Sequence, residues 1–199
     1  MAAAGFGRRL VLGLLLLLPP LWPGAAAAIE LDRERVWALL AKPGHIVLMR
    51  HADAPGTGDP AGFRIGDCTT QRNLGERGRE QSRRLGAELR RRAVPVALVL
   101  TSQWCRARET AALMALGPAE DEPAALNSFF GRPGEREAAT AALRRRLAAL
   151  PADAGLVVMV THQVNITALT GVFPASGEMV VLKRDDQGGV VTVGRLPAP

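Results

Sequence analysis

Four side chains in this sequence could act together on an anion: Arg50, His51, Arg106 and His162. Arginine presents a forked, permanently charged donor that matches phosphate or carboxylate oxygens, and a neutral imidazole can be a nucleophile, a donor or a base. Each lies just beyond a short apolar run. Arg50 and His51 end the run at 46–49, Thr101 and Ser102 end the run at 96–100 with Arg106 one turn later, and Thr161 and His162 end the run at 156–160.

Runs this short and rich in branched residues read as strands buried on both faces of a parallel sheet. In such sheets ligands bind in the crevice beyond the carboxyl ends of the strands, so three strands ending in polar residues predict one shared site. A helix starting near Gln103, capped by Ser102, would lean the Arg106 side chain back over the strand end. The positive ends of the following helices would attract an anion and keep a histidine nucleophile neutral.

Several further elements support these strands. The residues 32–42 read as a helix with Asp32 at its N-cap and Pro43-Gly44 as its stop. Leu74, Gly78, Ser82, Leu85 and Leu89 mark one helical face, whose small residues would bring the helix close to the sheet. Leu143, Leu147 and Leu150 mark another helix. The segments 179–182 and 190–193 read as two strands joined by the Asp/Gly-rich turn at 185–189. The connection from 52 to 73 is long, rich in Gly and Pro, and leaves directly from His51, which predicts a functional loop. From it Arg72 and Asn73 have the reach to bind substrate, beside plain turn or cap roles, and Ser102 at the end of the second strand is a third candidate for binding substrate. His45 opens the first strand at its far end and reads as structural.

The chain of 199 residues suits one α/β domain preceded by a short leader. Residues 1–28 show the three parts of a secretory signal: Arg8-Arg9, the apolar run 10–18, and Ala26-Ala27-Ala28 as the exit. The expectation is cleavage near Ala28, a domain over 29–199, a periplasmic or secreted location, and no stable membrane insertion after cleavage. Two of the six net positive charges belong to this leader. The arginine clusters at 90–92 and 144–146 read as solvated helix faces, with the residual excess favouring a small anionic substrate. Tyrosine is absent and aromatics are 4%, which supplies little for stacking on nucleic-acid bases. Three histidines and two separated cysteines make no zinc-like cluster, so no metal and no cofactor is expected. Cys68 and Cys105 both flank the expected pocket; in an oxidising compartment they are either a bridge from the loop to the Arg106 helix or two separate thiols. The oligomeric state is not legible.

The segments 47–52, 74–81, 101–111 and 160–162, read as VLMRHA, LGERGREQ, TSQWCRARETA and VTH, resemble in order the motifs of the histidine phosphatase superfamily, in its phosphoglycerate-mutase-like branch. The resemblance implies a three-layer α/β sandwich with a mostly parallel central sheet flanked by helices. It implies a metal-independent phosphatase in which His51 becomes phosphorylated while Arg50, Arg106 and His162 surround the phosphoryl group. Ala52 stands where the family usually has glycine. Where many members carry a glutamate proton donor, this chain has Leu126-Asn127-Ser128-Phe129-Phe130-Gly131, leaving Glu135, Asp53 and Asp67 as candidate acids without spacing support. Without an acid, good leaving groups such as phosphoanhydrides or phosphoramidates are favoured over alkyl monoesters. An exported location also suits the phosphates of cell-envelope saccharides. The alternative function is a weakly active or non-catalytic phosphate-binding module of the same fold.

Overall fold

The computed structural model describes Met1 and residues 24–185 and 187–199, with side chains inside the helices and strands from residue 32 onward. The strand β1 (His45–Arg50) is buried along its length, as its unbroken apolar run requires. It pairs in parallel with β4 (Leu156–Thr161), which pairs in parallel with β2 (Val96–Thr101), and β2 carries a short parallel edge strand, β3 (Ala119–Asp121). On its other side β1 pairs antiparallel with β5 (Met179–Arg184), followed by β6 (Val190–Leu196), so the six-stranded sheet is mixed with a parallel majority.

Alternating strand residues divide the core into two layers. Val47, Met49, Val99, Val158 and Val181 face α1 (Gly24–Leu40), α2 (Glu76–Arg91) and α3 (Cys105–Met114). Ile46, Leu48, Leu100, Met159 and Val180 face α4 (Pro123–Leu126), α5 (Arg136–Ala148) and α6 (Gln163–Thr170). Sheet between two helical layers is the sandwich expected. The carboxyl ends of β1, β4 and β2 lie side by side, with Arg50 in register with Thr161 and Thr101 with Val160.

Four local expectations are corrected. The first helix begins at Gly24, so Asp32 lies inside it and caps nothing. Leu74 precedes α2 and packs with Ala52 and Ala54 below the loop. The small residues of α2 admit backbone from elsewhere: a Cβ on Gly78 would overlap the Asp53 carbonyl and one on Gly86 the Met114 carbonyl at the end of α3, so the close approach is to loop and helix and not to the sheet. The helix after β2 starts at Cys105, with Trp104 as its N-cap, so Ser102 lies two residues too early to cap it. The strand β3, with its sequence Ala-Glu-Asp, has no apolar pattern to announce it. The leader read at 1–28 lies, apart from Met1 and the start of α1, outside the described residues. Among the described residues no helix is long and apolar enough to cross a membrane.

Candidate active site

His51 follows β1 directly, its backbone N–H donating to the Thr161 carbonyl at 2.9 Å, which fixes it at the junction of β1 and β4. Its ring is buried, and Nδ1 lies 2.8 Å from the Ala52 carbonyl oxygen. A carbonyl can only accept, so Nδ1 carries the hydrogen and Nε2 keeps its lone pair. That nitrogen accepts from Arg106 Nε at 3.3 Å. The second imidazole, His162, meets the first edge-on with ring centres 5.3 Å apart. It occupies the N-cap position of α6, so the turn from β4 into that helix delivers it to the site.

The guanidinium groups converge as their positions in the elements require. Arg106, in the first turn of α3, is buried and turns its Nε to the His51 ring. Arg50, the last residue of β1, donates to the Pro174 carbonyl at 3.0 Å and keeps its Nε buried without a partner. Arg72 reaches in from the loop, held by the Gly58 carbonyl at 2.7 Å and the Ala54 carbonyl. Together with the two histidines they line a cavity of roughly 280 Å³ whose walls add Thr57, Ser128 and Gln163 and whose mouth carries Phe130 and Phe173. Among the described residues no Asp or Glu lines it.

Burial, reinforced by the Arg106 charge, lowers His51 from an ordinary histidine value to about 3. Burial also pushes His162 well down, with the His51 ring and Arg106 next in effect. Both imidazoles are therefore neutral at neutral pH. The expected neutrality holds, but desolvation is its leading cause, not the helix ends, and no helix follows β1 directly. Loss of solvation also lowers Arg50 and Arg72 from the usual arginine value.

The comparisons agree with this geometry. The family model of the histidine phosphatase superfamily, branch 1, matches residues 46–127, which hold β1 with Arg50 and His51, the loop, and α3 with Arg106. Over these residues, fewer than half of the chain, the sequence is similar to the histidine phosphatase superfamily. No curated protein sequence matches it. A structure of the protein histidine phosphatase SixA complexed with tungstate is 20% identical over 77% of this chain and 96% of that one, with a TM-score of 0.57. Bacillus stearothermophilus YhfR is 18% identical over 75% and 95% of the two chains, with a TM-score of 0.54. The mycobacterial glucosyl-3-phosphoglycerate phosphatase is 18% identical over 70% and 92%, with a TM-score of 0.50. At these identities the likeness is one of fold.

Within this fold the remaining sequence expectations separate. Arg72 reaches the cavity, but Asn73 does not: its Nδ2 donates to the Cys68 carbonyl at 2.6 Å, away from the floor. Ser102 is fully buried behind His162, its hydroxyl 2.8 Å from Nε2 and 3.2 Å from Asn127 Oδ1, so it positions that ring instead of binding substrate. Cys68 and Cys105 are bridged, with Cα atoms 5.7 Å apart, tying the loop to the first turn of α3. His45 is buried at the far end of β1 against the Lys42 carbonyl, a structural role.

The residue that the sequence reading missed is Asp59. Its carboxylate accepts from both terminal nitrogens of Arg106, at 2.7 and 3.1 Å, and from Trp104 Nε1 at 2.9 Å, while its Oδ1 also accepts the Arg72 backbone N–H at 3.1 Å. Burial alone would raise this carboxyl, but the hydrogen bonds from Arg106 and Trp104 outweigh it and hold it below the usual aspartate value. The candidate acids fare differently. Asp67 closes a 3₁₀ turn and pairs with exposed Arg64, and Glu135 pairs with exposed Arg132. Asp53, whose backbone N–H donates to Gln81 Oε1 at 3.0 Å, does not line the cavity. Among the described residues no group of three His, Cys, Asp or Glu is placed to hold a metal ion.

Proposed function

We propose that this chain is an exported, metal-independent phosphatase that hydrolyses phosphorylated compounds through a phosphohistidine on His51. The observation that carries the proposal is the unprotonated Nε2 of His51, its tautomer fixed by the Ala52 carbonyl and its lone pair facing Arg106, in a cavity lined by Arg50, Arg72 and Arg106. The Nε2 lone pair attacks phosphorus as the bond to the leaving group breaks, and the electron pair of that bond departs with the leaving group. Water then attacks phosphorus, the P–N bond breaks, and Nε2 regains its lone pair as phosphate leaves. The three guanidinium groups hold the phosphoryl oxygens throughout, and their charge stabilises both transition states. The proposal of export rests on the leader pattern at 1–28 and agrees with the Cys68–Cys105 bridge, which persists in oxidising compartments.

The lack of a carboxylate among the described residues that line the cavity favours a second reading, a phosphate-binding module with little turnover. Phosphate release from aryl phosphates, alkyl phosphates and phosphoramidates, with chelator present, separates the two. Turnover that is lost in His51→Ala supports the phosphatase. Folded protein that binds vanadate yet turns over none of the three classes refutes it in favour of the module.

A further inference from the structure

We propose that Phe130 and Phe173 form a subsite for a planar, apolar ring in the part of the substrate that carries the phosphate. The inference rests on the cavity floor being a phosphate site, as proposed above, and adds what lies above it. The two rings are 54% and 69% exposed and both line the mouth of the same cavity. Scattered exposed apolar residues are ordinary, but two phenylalanines brought by separate connections to one opening are not scattered.

Both connections are anchored beside the exposed ring. Before Phe130, Phe129 is buried and the Ser128 hydroxyl accepts the Phe130 N–H at 3.2 Å. The Phe130 ring itself lies over Gly58, where an added Cβ would be 3.6 Å away. Phe173 sits between Val172, whose carbonyl accepts from Thr167 at 2.7 Å, and Pro174, whose carbonyl accepts from Arg50. The rings are therefore held at the opening by packed backbone, at a solvation cost that a bound apolar group would relieve.

The chemistry of the cavity narrows the ligand. The floor is cationic and binds the phosphoryl end; the mouth offers ring faces and edges, which favour another ring in stacked or edge-on contact. A phenol-like leaving group also departs as a delocalised anion, which suits a cavity without a carboxylic acid beside it.

Binding of phenylphosphonate and methylphosphonate to the whole protein tests this without depending on turnover, because neither is hydrolysed. The expected result is that phenylphosphonate binds roughly 10- to 100-fold tighter. In the Phe130→Ala/Phe173→Ala double variant the preference falls to about threefold or less, while inorganic phosphate binds as before. Equal affinities in the unaltered protein, or a preference that survives in the double variant, overturn the subsite. Cyclohexylphosphonate bound as tightly as the phenyl compound overturns the planar ring, and glucose 1-phosphate bound more tightly than phenylphosphonate overturns it in favour of a sugar. If inorganic phosphate does not bind at all, the floor is not a phosphate site and the inference falls with it; if phosphonates discriminate while no ester is turned over, the subsite stands and only the catalytic reading fails.

Discussion

Acidification should uncover the cost of keeping His51 neutral. The unfolded chain takes up a proton on this ring near pH 6.5, whereas the folded chain does so only near 3. Between those values the unfolded state binds more protons, so stability is fully present above 6.5 and is lost as pH falls. At 1.36 kcal/mol per unit the complete loss is about 5 kcal/mol, of which about 3 kcal/mol is gone by about pH 4.5. His162 shifts in the same direction, so the cleanest measurement is a difference. Urea unfolding of the wild type and of His51→Gln, in buffers without phosphate, should show the wild type losing about 3 kcal/mol more than the variant between about pH 8 and pH 4.5. Parallel stability curves for the two proteins would refute the reasoning, as would direct titration of the native His51 ring near 6.5. The kinetic counterpart is that kcat/KM, corrected for the ionisation of the substrate, shows no loss from nucleophile protonation near pH 6.5.

Asp59→Ala leaves the buried Arg106 without its carboxylate and should cost about 3 kcal/mol, lowering Tm by about 6–12 °C, with saturating phosphate recovering part of the loss by replacing the missing anion. Thermal unfolding with and without phosphate checks this, and an unchanged Tm without ligand counts against it. Reducing the Cys68–Cys105 bridge, which closes a separation of 37 residues, should cost about 3–4 kcal/mol on loop entropy and weaken vanadate binding, because the loop carries Asp59 and Arg72. An unfolding midpoint in urea that is the same in reduced and oxidised protein contradicts it. Gly86→Ala, which on an open helix face would stabilise, should instead destabilise by about 1–3 kcal/mol, because its Cβ overlaps the Met114 carbonyl. Chemical denaturation gives the sign directly.

The cavity end of the sheet is legible because two signals coincide there: an apolar run long enough for a strand, and a polar residue at its carboxyl end. Arg50, His51 and His162 needed nothing more, and Arg106 needed only the direction in which helical side chains lean. Arg72 and Asn73 show where this reasoning stops. Successive side chains in an extended run leave on opposite sides, so at most one of the pair could reach the cavity, and only the loop's path decides which. Ser102 reads as a cap because a serine before an apolar-periodic segment usually is one; two further residues precede the helix here, and the hydroxyl turns to His162 instead. Asp59 lies between Gly58 and Pro60 in a stretch with no periodicity, so its pairing with a residue 47 positions away was invisible until the loop was folded.

On the proposed phosphatase reading, the loop at 52–73 has a definite part in the chemistry. It is fastened at Cys68 to Cys105, at Asp59 to Arg106 and Trp104, and at Arg72 to the Gly58 carbonyl within the loop itself. These ties hold two of the three cavity guanidinium groups in place before any ligand arrives, so charge developing on a phosphoryl group meets donors that need no rearrangement. The same arrangement explains why Asp59 is a poor source of a proton. Its carboxylate is committed to Arg106 and Trp104 and is held below its ordinary value, so at neutral pH it is ionised. A phosphatase organised in this way would give strong stabilisation to the transferring phosphoryl group and little help to the departing atom, and the burden of leaving would pass to the chemistry of the substrate.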